Sequence, residues 1–270
     1  MAAAQKLHVN GIDLNVLVDG KGPEVLLLHG FPDSHAVWRL QIPALVAAGY
    51  RVIAPDLRGY GQSDAPAACR DYAMPQLLGD VVGLLDALQV SKVRLVGHDW
   101  GAALGWQLCM AYPERVDRYV ALSVGHPRAY AGAPLRQKLM GSYILFFQLR
   151  GLAEFVIRCC RWRLFRALIR YDAECERWIA DLSRPGRLTA ALNWYRANLR
   201  MILPRNWPAV EVPVLGVWSS RDIALCEAQM TASERYVDAA WSYARLDGVN
   251  HWLQLDAPER VNALLLGYLH

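Results

Sequence analysis

Residues 92–111, KVRLVGHDWGAALGWQLCMA, constrain the fold of this chain more than any other stretch. Residues 93–96 form an apolar run of strand length, and from Trp100 onward apolar residues recur at helical spacing through Leu104, Leu108 and Ala111. Between the two stands Gly97-His98-Asp99-Trp100-Gly101, with glycine two positions before and two positions after Asp99. A strand that turns this abruptly into a helix leaves no room for side chains at the flanking positions, and it lifts the central residue above the carboxyl end of the sheet. Such an elbow commonly carries a nucleophile, usually serine. A serine must lose its proton before it attacks acyl carbon, whereas a carboxylate is ionised at neutral pH and displaces at saturated carbon. Asp99 therefore predicts an ester formed on the protein and then hydrolysed, unless it serves only as the N-cap of the helix behind it.

The rest of the chain is arranged around that elbow. Residues 7–9 and 12–18 flank Asn10-Gly11, a two-residue hairpin signal. Residues 25–28 are a continuously apolar strand, followed by a helical pattern over 36–47, a strand at 51–54, a polar loop at 56–64 and a helix over 75–88. After the elbow comes a strand at 119–124. Strands alternating with helices imply parallel crossovers in an α/β, doubly wound sheet. From Pro127 the alternation stops, and until Pro208 the sequence reads as helices rich in arginine and aromatic residues. A strand at 214–218, another at 243–246 and a helix over 258–268 then resume the earlier rhythm. The prediction is an α/β core in two parts, 1–126 and 209–270, with an inserted helical cap over 127–208 lying above the sheet edge where open α/β folds bind ligands.

An ester on a carboxylate needs a base to activate water, an acid to orient that base, and donors for the oxyanion. His251, in a predicted loop at 248–252, follows nucleophile and acid in chain order and opens at the same sheet edge, which makes it the candidate base. Asp222, at the end of the first strand after the insertion, is the candidate acid; a turn or an ion pair with Arg221 is its alternative use. The backbone N–H groups of Phe31 and Trp100 are the candidate oxyanion donors. His29 and His98 are expected to be structural.

Composition removes other classes. The 270 residues are 54% hydrophobic, enough for a large domain without staples, and the six cysteines fall at no metal-ligand spacing. Cys159-Cys160 cannot easily bridge, so the thiols are expected reduced, in a cytoplasmic protein. The start lacks the apolar core of a signal peptide, and residues 139–149, followed by Arg150, are too short to span a membrane. The net charge is +4, its excess concentrated in Arg158, Arg161, Arg163, Arg166 and Arg170, which read as a solvated helix face in preference to a nucleic-acid or membrane surface.

His29-Gly-Phe-Pro-Asp33 through Trp38, the loop Asp56-Leu-Arg-Gly-Tyr-Gly-Gln-Ser-Asp64, the elbow and Gly248-Val-Asn-His251-Trp together resemble the α/β-hydrolase-fold epoxide hydrolases over nearly the whole chain. The resemblance implies two cap tyrosines that hold and protonate the epoxide oxygen. One falls on Tyr195, within Asn193-Trp194-Tyr195-Arg196. The other falls on Tyr143, five residues before Gln148, in a segment that departs from the family at Leu149-Arg150, where a proline usually precedes the glycine. Phenols suit the task, because an opening epoxide releases an alkoxide more basic than a phenolate of pKa about 10. Trp100, Phe31, Phe146 and Trp194 are expected to contact substrate. The cap aromatics Phe146, Phe147, Trp162, Phe165 and Trp194 suggest that the substrate is an apolar epoxide. Water is the second reactant, no metal or organic cofactor is required, no nucleic-acid partner is expected, and the chain is expected as monomer or homodimer. Haloalkane dehalogenases share the aspartate and the following tryptophan, but a departing halide needs an N–H donor from an Asn where this chain has Phe31, or from a cap Trp. Fluoroacetate-type dehalogenases place Arg where this chain has Trp100. An esterase would need serine at the elbow, and a non-catalytic binder of the same fold would have no use for His251.

Overall fold

The computed structural model describes residues 3–270, so the first two residues of the predicted core segment 1–126 lie outside the described residues. Asn10 and Gly11 turn the chain with φ of 48° and 76°, joining β1 (Gln5–Val9) to β2 (Ile12–Asp19) as an antiparallel hairpin. β2 pairs antiparallel with β4 (Arg51–Pro55). From there the sheet is parallel: β3 (Glu24–Leu28), β5 (Val93–His98), β6 (Val116–Leu122), β7 (Val214–Arg221) and β8 (Trp241–Asn250), in the order β1-β2-β4-β3-β5-β6-β7-β8. The continuous apolar runs belong to the inner strands; Leu26, Leu27 and Leu28 of β3 are fully buried, each contributing roughly 1.5–3 kcal/mol. The chain steps outward from β3 to β4 and returns to the other side of β3 as β5. The carboxyl ends of β3 and β5 therefore meet at a topological switch point, the place where this architecture opens a crevice.

β7 runs three residues past the strand read at 214–218, and three further elements differ from the sequence reading. The helix expected over 36–47 is a 3-10 turn, His35–Trp38, and a separate helix, Ile42–Ala47. Pro43 lacks an N–H and its ring crowds the preceding turn, so a helix can begin around it but not run through it. β6 begins earlier than 119 and stops at Leu122, because Ser123 takes a left-handed φ of 72°. β8 extends to Asn250, so residues 248–250, predicted as loop, are strand, with Gly248 at φ 78° beside a register shift against β7.

Between β6 and β7 the described chain forms no named strand. It runs through helices Pro127–Ala131, Leu135–Met140, Tyr143–Phe147, Leu152–Ile169, Asp172–Ser183 and Arg187–Ala197. Helix Leu152–Ile169 is broken at Cys160, Arg161 and Trp162, all left-handed. Polar anchors fix this helical layer to the core. Asp33 accepts hydrogen bonds from Arg177 at 2.8 Å, from the Trp178 indole at 2.8 Å and from the Trp252 indole at 3.0 Å. Trp194 donates to the Arg58 carbonyl at 2.9 Å. Asn198 receives the Met74 N–H and donates to the Tyr72 carbonyl. Within the layer, buried Arg196 grips both Glu154 oxygens and donates to the Phe147 carbonyl, so helix Arg187–Ala197 holds helices Tyr143–Phe147 and Leu152–Ile169 in place.

Candidate active site

The elbow follows from its glycines. A Cβ on Gly97 would press into the Gly101 carbonyl, and one on Gly101 would collide with the Leu28 backbone. With both positions bare, helix Trp100–Ala111 starts directly off β5, and Asp99 takes φ 53°, ψ −121°, a conformation outside the ordinary regions for a non-glycine residue. Asp99 occupies the N-cap position but its side chain makes no capping hydrogen bond, so the N-cap reading does not account for it. Its Oδ1 instead accepts the Phe31 N–H at 2.8 Å, and the adjoining Trp100 N–H adds to the groups that favour its charge. The Phe31 N–H, one of the two backbone donors named from sequence, thus lies against the Asp99 carboxylate. Gly30 permits the approach, since a Cβ there would strike the Asp99 carboxylate.

His251 stands immediately beyond β8, with Nε2 3.7 Å from Asp99 Oδ2 and Nδ1 2.8 Å from Asp222 Oδ2. Asp222 follows the last residue of β7, and its other oxygen accepts the N–H groups of Ala224 at 2.8 Å and Leu225 at 2.9 Å. Asp222 is thereby held as an acceptor for the imidazole, which sets Nδ1–H and leaves Nε2 toward Asp99. Burial disfavours a charged imidazole, but the Asp222 carboxylate and then Asp99 outweigh it and raise His251 to about 10. Burial likewise opposes the Asp99 charge, and hydrogen bonding and charge from His251 outweigh it, holding that carboxyl below its usual range. His98 lies beneath, its ring 4.8 Å from that of His251 and its Nε2 2.9 Å from the His251 carbonyl. Burial lowers His98 to about 4, which leaves it a neutral donor that pins the His251 backbone. His29 is similar in kind: its Nε2 accepts the Leu57 N–H and burial lowers it to about 4.

Tyr143 and Tyr195 come down from the helical layer with ring centres 6.0 Å apart, and Tyr195 meets the Trp100 ring edge-on at 5.0 Å. Burial raises both phenols well above 10, so both stay protonated. Two cavities meet at Asp99, Tyr143 and Tyr195. One, of about 90 Å³, extends past Val124, Tyr130 and Met201; the other, of about 220 Å³, extends past Phe31, Phe147, Phe165 and His251. Trp100 lines the first and Phe31 the second. Phe146 and Trp194, expected to contact substrate, line neither. On helix Tyr143–Phe147 the residues that face the cavities are Tyr143, Ile144 and Phe147, and Phe146 is turned away to lean on Phe147 at 6.0 Å. Trp194 is fully buried behind Trp100, the rings 5.7 Å apart. Sequence reasoning missed Tyr130, Ile144, Met201, Ile202 and Leu225, whose only signal is an apolar or aromatic side chain in the inserted segment or beside Asp222. It also missed Asp33 as the bolt between core and helical layer. Among the described residues no group of three or more His, Cys, Asp or Glu could hold a metal ion.

Residues 23–258 match the family model of the alpha/beta hydrolase fold. The AB hydrolase superfamily protein YfhM of Bacillus subtilis is 36% identical over 98% of this chain and 97% of its own length. Epoxide hydrolase A of Mycobacterium tuberculosis is 32% identical over 97% of this chain and 96% of its own. The crystal structure of epoxide hydrolase A from Mycobacterium thermoresistibile superposes with a TM-score of 0.83 at 31% identity, covering 99% of this chain and 98% of that one.

Proposed function

The chain belongs to the alpha/beta hydrolase fold family, among its epoxide hydrolases, and from that premise we propose that it opens an apolar epoxide to a vicinal diol through an ester on Asp99. The observation that carries the reading is the placement of a carboxylate and two protonated phenols on one pair of apolar cavities, with an imidazole 3.7 Å behind the carboxylate. In this reading the helical segment 127–208 acts as a cap that supplies the phenols and excludes water during ring opening. Asp99 attacks an epoxide carbon, the C–O bond breaks, and the oxygen takes a proton from Tyr143 or Tyr195. Alkylation turns the Asp99 carboxylate into a neutral ester and removes one of the charges that keep His251 protonated. His251 then gives up its proton, which restores the phenol. The neutral imidazole, oriented by Asp222, takes a proton from water as that water attacks the Asp99 carbonyl carbon. The oxyanion faces the N–H groups of Phe31 and Trp100. Collapse breaks the ester bond, and the leaving diol oxygen takes the remaining proton of the attacking water, so that carboxylate and imidazolium are both regenerated.

Halide release fits these residues less well. The Phe31 N–H already holds Asp99, and the cavity presents phenols where a departing anion would want N–H donors. The six cysteines are free thiols, which supports a reducing compartment, and we place the protein in the cytoplasm on that basis. The test is His251→Gln exposed to an aryl, alkyl or fatty epoxide. Intact mass spectrometry should show one substrate added, with the added mass on the peptide containing Asp99. An unmodified protein in the presence of an epoxide shown to bind would overturn the proposal.

A further inference from the structure

The helical layer carries an exposed surface that the chemistry does not use. Leu135, Leu139, Leu145, Leu149, Leu152 and Phe155 leave about half or more of their surface in solvent, all within one 21-residue stretch. Chains of this size scatter exposed leucines singly; a run this dense marks a contact surface. Exposed Leu145, Leu149 and Leu152 lie before, within and after the corner, where the Leu149 carbonyl accepts the Ala153 N–H and ties the turn to the next helix. The helices on either side, Leu135–Phe147 and Leu152–Ile169, are apolar enough together to cross a membrane but meet at 102°, and no single helix among the described residues is long and apolar enough to do so.

Charge separates the possible occupants. Residues 132–171 hold eight basic side chains and one acidic one, while the remaining residues hold 21 basic against 24 acidic. That one acid, Glu154, is already taken by Arg196. Arg136, Lys138, Arg150, Arg158, Arg161 and Arg163 are exposed and make no ion pair among the described residues. A second copy of this chain would bring a facing net charge of the same sign, which disfavours self-pairing. A nucleic acid would use the arginines but gain nothing from exposed leucine and phenylalanine. Apolar side chains interleaved with unpaired cations, on helices of which none alone is long and apolar enough to span, match an anionic lipid surface.

We propose that the corner between helices Tyr143–Phe147 and Leu152–Ile169 docks this protein on anionic membranes, with Leu145, Leu149, Leu152 and Phe155 entering the interface and the surrounding basic residues meeting the headgroups. The sequence alone read the arginines as a solvated face because it could not show which apolar residues stay outside. The docking stands on the surface itself. Its consequence for substrate rests on the epoxide reading: the same helices that present these residues also turn Tyr143, Phe147 and Ile157 into the larger cavity, so an epoxide dissolved in the bilayer would be met by the cap.

The experiment is co-sedimentation of the full chain with phosphatidylglycerol-containing vesicles and with phosphatidylcholine vesicles, at low and high salt. The wild type should pellet with the anionic vesicles at low salt and be released by high salt. Leu152→Glu combined with Phe155→Glu should lower partitioning about tenfold or more, and Arg150→Glu combined with Arg158→Glu should do so while touching only exposed groups. Diol formation from a small water-soluble epoxide should be unchanged in the charge variant, which separates failure of docking from failure of the chemistry. Absence of wild-type pelleting, or equal pelleting by both variants, overturns the proposal. So does a wild-type dimer that the Leu152/Phe155 variant converts to monomer without any vesicle binding.

Discussion

The two halves of the proposed site, one on the sheet and one on the helical segment read as a cap, are held by different physics. The core half, Asp99, His251, Asp222 and the Phe31 and Trp100 N–H groups, sits on strand ends and is fixed by short hydrogen bonds and by glycines that admit no side chain. The cap half, Tyr143, Tyr195, Phe147 and Phe165, is fixed by edge-to-face ring packing at 5–6 Å, with Arg196 and Asp33 as its polar bolts. In the proposed reaction, attack by Asp99 and activation of water tolerate only sub-ångström errors and fall to the rigid half, while the other half holds the epoxide and protonates its oxygen. Holding an apolar epoxide tolerates a softer wall, and packing of rings supplies one.

If that division is right, disturbing the core half should stop a step, while disturbing the cap half should retune one. Asp222→Asn should slow hydrolysis of the Asp99 ester by roughly 10³- to 10⁴-fold, with ring opening far less affected, because the imidazole loses the partner that sets its tautomer and charge. Rapid-quench accumulation of the ester would show it, and equal slowing of both steps would erase the distinction. Gly101→Ala should cost about 3 kcal/mol or more in urea unfolding, since the Leu28 backbone cannot move aside. An exposed cap change such as Leu145→Ala should stay within about 0.5 kcal/mol.

Tyr195→Phe should slow ring opening about tenfold to hundredfold and leave ester hydrolysis nearly unchanged, Tyr143 remaining as a second donor. Phe147→Ala should raise KM severalfold, whereas Phe146→Ala should change kcat/KM by about twofold or less, because only Phe147 faces the cavity. The pH response sharpens the same contrast. His251 is raised from an ordinary 6.5 to about 10 in the folded protein, so its pairing stabilises the fold fully below pH 6.5 and that contribution is lost as pH climbs toward 10. Thermal melts across that window should show the loss, and Asp222→Asn should flatten it. In the ester form, with the Asp99 charge gone, the His251 pKa governing hydrolysis should lie below the value in the free enzyme, as read by NMR of the imidazole against the pH profile of ester breakdown.

How much of this was legible in the sequence follows the same line. Glycine spacing at 97 and 101, the Asn10-Gly11 turn and the apolar runs of β3 and β5 are local signals, and the sheet they imply is the sheet that forms. Asp99, His251 and Asp222 could be named because strand ends fix which sheet edge they share. The helical segment resisted because rotation of 100° per residue decides whether Phe146 or Phe147 faces the cavity, and a residue at the wrong phase looks identical in sequence. Pro43 was a readable break that the apolar pattern around it obscured, and the strand through 248–250 was hidden by its glycine and asparagine, which ordinarily mark a turn.

The most direct test of the covalent role of Asp99 is a single turnover in H₂¹⁸O with enzyme in excess over epoxide, followed by mass analysis of both the diol and the Asp99 peptide. The account predicts unlabelled diol and one ¹⁸O in the Asp99 carboxylate, because the diol receives a protein oxygen and the protein receives the oxygen of water. Label in the diol with none at Asp99 would mean that water attacks the epoxide itself, and would contradict it.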